Sequence, residues 1–112
     1  MSPLTTHVLD TRLGRPAAGV GVSLERLEGA AWQVIGYGAT DEDGRLTTLL
    51  APGALAAGRH RLTFDTGAYF QRQQVDHFYP EVTIDFDIVD PGQHYHVPLL
   101  LSPFGYSTYR GS

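Results

Sequence analysis

The chain has no cysteine and no lysine, and only one methionine and one tryptophan among 112 residues. Without cysteine there are no disulfides, no thiolate nucleophile and no sulfur-ligated zinc. Without lysine, arginine is the only permanent side-chain cation, and the net charge is −4. That balance argues against nucleic acid or an anionic membrane as partner, since both require basic patches. No apolar run approaches the roughly 20 residues needed to span a bilayer. The opening Met1-Ser2-Pro3-Leu4 has neither the charged nor the apolar region of a secretory leader, so a soluble, cytoplasmic protein is expected.

What is present is a period of two. Val82-Thr83-Ile84-Asp85-Phe86-Asp87-Ile88 alternates without error, which predicts a strand with Val82, Ile84, Phe86 and Ile88 facing a core. Val20, Val22 and Leu24 repeat the pattern, and 32–37 and 60–65 read as shorter, less regular strands. Asp43-Gly44 is a hairpin-turn signal, because glycine tolerates the positive φ of a primed turn. Thirteen glycines and seven prolines break the chain at short intervals, as a sandwich of short strands requires. One segment reads as helix, Pro52-Gly53-Ala54-Leu55-Ala56-Ala57, with Gly58 as its stop. The expectation is one domain over 1–112, an all-β sandwich of seven or eight strands with one short helix. Its size allows a core but no deep cavity, so a pocket would be shallow or completed by another subunit.

The chemistry-bearing residues are few. His94 and His96 point the same way on a strand, and His7 shares a face with Thr5 and Leu9. Three histidines can form a zinc site with an open position, although no nearby carboxylate is evident to orient them. His60 and His77 sit in turn-rich contexts and read as solvated or hydrogen-bonded residues. Arg45 follows the Asp43-Gly44 turn, and its fork suits planar anions. Two imidazoles and an arginine form a hydrolytic set: one ring takes a proton from water, another passes a proton, and arginine stabilises negative oxygen. No Gly-x-Ser-x-Gly elbow is present, which argues against serine catalysis. The terminal Tyr106-Ser107-Thr108-Tyr109-Arg110-Gly111-Ser112 is rich in hydroxyls. It reads either as a frayed end or as a tail delivered into a site.

Taken together, several stretches resemble the transthyretin-related family, in its 5-hydroxyisourate hydrolase branch. They are Leu4-Thr5-Thr6-His7-Val8-Leu9-Asp10, Gly14-Arg15-Pro16-Ala17, Thr40-Asp41-Glu42-Asp43-Gly44-Arg45 and Phe78-Tyr79-Pro80-Glu81-Val82. The resemblance closes with the run from Tyr95 to Pro103 and with Tyr109-Arg110-Gly111-Ser112.

The resemblance implies an eight-stranded transthyretin-like β-sandwich assembled as a homotetramer, with active sites at the dimer–dimer interface. It implies hydrolytic opening of 5-hydroxyisourate to the carboxylated ureidoimidazoline (OHCU) in urate degradation, with no cofactor and no metal. His7, Arg45, His96 and Ser112 are the catalytic residues it implies, and His7, Arg45 and Tyr109 the substrate contacts. The alternatives are a carrier that binds a small aromatic ligand without turning it over, a three-histidine zinc hydrolase, and a purely structural sandwich. His7 and the Tyr109–Ser112 terminus speak against the carrier.

Overall fold

Alternation builds the core. In the computed structural model, which describes residues 2–112, Val82 and Ile88 are buried and Ile84 and Phe86 half-buried, while Thr83, Asp85 and Asp87 stay exposed. Nine strands and one helix form among these residues: β1 (Leu4–Asp10), β2 (Arg15–Pro16), β3 (Gly21–Glu28), β4 (Ala31–Ala39), β5 (Arg45–Leu46), β6 (Gly58–Phe64), α1 (Thr66–Arg72), β7 (Val82–Ile88), β8 (Tyr95–Ser102) and β9 (Gly105–Thr108). One sheet runs β2-β1-β8-β9, with β5 also paired to β1, and the other runs β4-β3-β6-β7. Between them lie Leu4, Val8, Val22, Leu24, Leu62, Phe64 and Leu99, all fully buried. Each such side chain contributes about 1.5–3 kcal/mol relative to exposure.

The β1–β8 pairing is parallel and joins the first strand to a late one, with Thr5 opposite His96 and His7 opposite Pro98. The other pairings are antiparallel. Asp10, buried at the end of β1, accepts from the Arg12 and Leu13 backbone N–H groups at 3.0 and 3.1 Å and from the Tyr69 hydroxyl at 2.7 Å. Burial and that carboxylate push the Tyr69 phenol above its usual range. The same contact ties α1 to β1.

Two expectations need correction. The helix is not at 52–57, where only a turn forms, closed by Ala54 N–H donating to Ala51 C=O at 3.0 Å. It lies at Thr66–Arg72, capped by Asp65 and anchored by buried Tyr69 and Phe70. Short helices are decided by capping and packing more than by alanine content. The Asp43-Gly44 turn is real, but it links β4 of one sheet to β5 of the other and forms no hairpin. His60 is a hydrogen-bonded strand residue as expected, within β6 and fully buried, with Nδ1 2.9 Å from the Gly58 carbonyl. His77 is hydrogen-bonded as expected, with Nδ1 3.0 Å from the Val75 carbonyl and its ring stacked on Phe70.

Candidate active site

Residues from four parts of the chain meet on the outer face of the β1–β8 sheet. Odd-numbered residues of β8 from Tyr95 to Leu101 face the core, so His96 faces away from it. Opposite it in β1 stands Thr5, only 4% exposed, whose Oγ1 lies 2.8 Å from His96 Nδ1 and 3.3 Å from His94 Nε2. Two residues along β1, His7 pairs with Arg45 of β5. Its Nε2 lies 2.8 Å from the Asp43 carbonyl. A carbonyl only accepts, so His7 Nε2 is a donor, and the neutral ring keeps its lone pair on Nδ1.

The turn carrying Arg45 is closed twice by Asp41. Its carboxylate accepts from the Asp43 and Arg45 N–H groups, each at 2.9 Å, and its own N–H donates to Arg45 C=O at 2.8 Å. Gly44 turns the corner at φ +73°, and its C=O accepts from Val8 N–H at 2.8 Å. The guanidinium of Arg45 therefore projects from a fixed base, exposed and without a carboxylate partner among the described residues.

The terminal segment is ordered. Its first three residues, Tyr106 to Thr108, belong to β9. Arg110 donates to Gln93 Oε1 at 2.9 Å and lies over the Tyr95 ring at 4.4 Å. Gly111 N–H donates to His96 C=O at 2.8 Å, which delivers Ser112 to the edge of the same site. The resulting cleft, of about 220 Å³, is lined by Thr5, Thr6, Arg45, Thr47, His94, His96 and Ser112.

The cleft is lined by no Asp or Glu side chain, and Arg45 is its one permanent side-chain cation. Burial lowers the His96 pKa below its ordinary 6.5, and His7, His94 and Arg45 add to the depression, against an opposing hydrogen bond to the Thr5 backbone. His96 is therefore neutral near pH 7, as a base must be. Among the described residues, no group of three or more His, Asp or Glu side chains is placed to hold a metal ion. His94 Nε2 and His96 Nδ1 are turned to the Thr5 hydroxyl, and His7 Nε2 to the Asp43 carbonyl.

Arg45, His96 and Ser112 are thus brought together, and His7 stands beside them. Tyr109 is not. It lines a separate groove with Ile84, Phe86, Tyr95 and Val97. Those two β8 residues alternate with His96, so this groove opens on the opposite face of the strand. Sequence reasoning passed over Thr5, Thr47 and the Asp43 carbonyl. A threonine in a strand reads as a β-former, and only the long-range β1–β8 register gives Thr5 its two imidazole neighbours.

Comparison with known proteins decides the lineage. Residues 4–111 match the model of the HIUase/Transthyretin family. The chain belongs to that family. A Rhizobium meliloti member, "5-hydroxyisourate hydrolase 2", is 52% identical over 114 residues, covering 97% of this chain and 95% of that one. Among solved members, the Klebsiella pneumoniae 5-hydroxyisourate hydrolase is 43% identical, with a TM-score of 0.84 over 97% of this chain and 98% of that one. Transthyretin from Sparus aurata is 34% identical, with a TM-score of 0.93 over 99% of this chain and 97% of that one. The family fold, a two-sheet sandwich with one short helix, is as expected, although the described residues form nine strands where eight were expected.

Proposed function

We propose that this chain is an enzyme that hydrolyses 5-hydroxyisourate, opening its ring to OHCU in urate degradation. The observation that carries the reading is the convergence of neutral His96, unpaired Arg45 and Ser112 on one cleft, with His7 paired to Arg45. Backbone likeness does not separate hydrolase from carrier, since the transthyretin structure superposes at least as well as the hydrolase structure. The side chains separate them, because this set is equipped to move a proton.

In the proposed reaction His96 removes a proton from water, and the water oxygen bonds to the ring acyl carbon. The carbonyl electron pair moves onto oxygen, where the Arg45 fork stabilises the charge. Collapse of that adduct breaks the bond from carbon to ring nitrogen. The nitrogen takes a proton, and His7, with its hydrogen held at Nε2 by Asp43, orients the substrate beside Arg45. Ser112 hydrogen-bonds at the rim. No metal enters the proposed mechanism.

The same reading places the sites at the dimer–dimer interface of a cytoplasmic homotetramer. A cleft of about 220 Å³ is smaller than the roughly 300–1,000 Å³ usual for small-molecule sites, and a second subunit would enclose it. Phe78 at 70% and Phe104 at 68% exposure also favour burial in an assembly. The deciding experiment follows the absorbance of freshly generated 5-hydroxyisourate with and without the protein. Faster disappearance with protein, unchanged after exhaustive chelation, is the expected result. Stoichiometric binding without turnover would make the chain a carrier, and loss on chelation would return the three-histidine zinc site.

A further inference from the structure

The Thr5 hydroxyl sits between two imidazoles, 2.8 Å from His96 Nδ1 and 3.3 Å from His94 Nε2. A hydroxyl owns one proton, so it can donate to one ring and accept from the other but cannot donate to both. The two directions impose opposite tautomers on His96. When Thr5 donates to His94 Nε2, it accepts from His96 Nδ1–H, and His96 Nε2 carries the lone pair. When His94 Nε2 is protonated and donates to Thr5, the hydroxyl turns to His96 Nδ1. Neutral His96 then carries its hydrogen on Nε2 and cannot take another proton there.

We propose that Thr5 and His94 are positioning residues that set the working tautomer of His96, with Nδ1–H donating to Thr5 and Nε2 left as the base. Two features favour that direction. The imidazolium formed when Nε2 takes a proton from water already has its Nδ1–H on Thr5, so nothing need reorganise during the step. Thr5 is buried in β1 and fixed opposite His96 by the strand register, so its hydroxyl has little else to serve.

The orienting group of a catalytic histidine is often a carboxylate. Here it is a neutral hydroxyl, and the charged or titratable side chains that act on His96 are His7, His94 and Arg45, with no Asp or Glu among them. A carboxylate would hold the imidazolium and raise its pKa. A neutral hydroxyl fixes the tautomer without bringing a negative charge to the imidazolium. Exposed His94 then connects the relay to solvent.

The inference rests on the hydrolase reading, but its first test needs no turnover. Nitrogen-15 NMR of the intact protein at neutral pH should find His96 protonated at Nδ1 in the parent. In isosteric Thr5→Val the tautomer should shift toward Nε2–H. In assays, Thr5→Val should lower kcat about 10- to 100-fold with KM little changed, the size of one lost hydrogen bond to a charged group. Thr5→Ser, which keeps the hydroxyl, should restore most of it. His94→Ala, which takes away the ring that Thr5 donates to, should shift the tautomer in the same direction and lower kcat more mildly than Thr5→Val. An Nε2–H tautomer in the parent overturns the proposal, as does parental kcat in folded Thr5→Val. If Thr5→Val fails to fold, the parent spectrum and Thr5→Ser still decide. Absence of turnover in the parent would instead sink the hydrolase reading.

Discussion

Gly111 donates its N–H to His96 C=O at 2.8 Å, and a Cβ on that residue would lie 2.6 Å from His96 Cδ2. Nothing larger than hydrogen fits between the terminal segment and the imidazole. The tail and the proposed base are therefore packed as one unit, although 14 residues lie between them in sequence.

Gly111→Ala must displace either the tail or the ring. A shift of the order of 1 Å at a reacting group costs up to about a hundredfold in rate. We expect kcat to fall by about that much, with the thermal midpoint nearly unchanged because no core contact is touched. Parental kcat in Gly111→Ala would separate the tail from catalysis.

The sequence was most legible where one sheet face meets the core. Alternation at 82–88 and at Val20, Val22 and Leu24 identifies strands because each second side chain is buried. It also places His94 and His96 on one side, as their shared contact with Thr5 requires. The helix lies outside the alanine-rich 52–57 stretch because its stability comes from the Asp65 cap and from Tyr69 and Phe70 packing, neither of which alanine content reports. Tyr109 is a substrate contact only by what the family resemblance implies, and it lines a groove with the core-facing residues of β8. Thr5 is invisible as a relay until the parallel β1–β8 register brings residues 5 and 96 together. Such a register joins distant stretches and leaves no local signature.

Arg45 emerges from a turn that Asp41 braces, and it pairs across strands with His7. Arg45→Lys retains the charge but loses the planar two-point contact. We expect kcat to drop about 10²- to 10³-fold, the range for losing one oxyanion donor, with stability hardly altered at this exposed position. Parental kinetics for Arg45→Lys would rule out a bidentate role.

Because burial and its cationic neighbours depress His96, the acid limb of kcat/KM should lie below 6.5. The sign follows from the base needing to be neutral: activity is present above the depressed pKa and falls as pH drops through it. His96→Asn should cost about two to four decades of rate at every pH and remove that limb. His7→Asn should lower the rate while retaining it, since His96 still titrates. A limb above 6.5 in the parent, or one that survives in His96→Asn, would point to a different base.

His60 supplies the last test, on stability alone. Its Nδ1 donates to Gly58 C=O at 2.9 Å, while Nε2 is buried and has no partner. Burial holds its pKa below 6.5, with a smaller contribution from the Arg26 charge, and the Gly58 bond only partly offsets them. The folded protein therefore keeps His60 neutral at a pH where the unfolded chain binds a proton. The stability this contributes is fully present above the unfolded value of about 6.5, and it is lost as pH falls through the window down to the folded pKa. His96, also depressed, adds to the loss in the same direction. Urea unfolding at about pH 7.5 and about pH 5.5, on either side of the unfolded histidine pKa, should find the parent weaker in acid. His60→Phe, which can pack against Phe86, should narrow that difference and leave a remainder owed to His96. An undiminished difference in His60→Phe would mean that His60 is not held neutral by the fold, and its buried nitrogen would then need a partner.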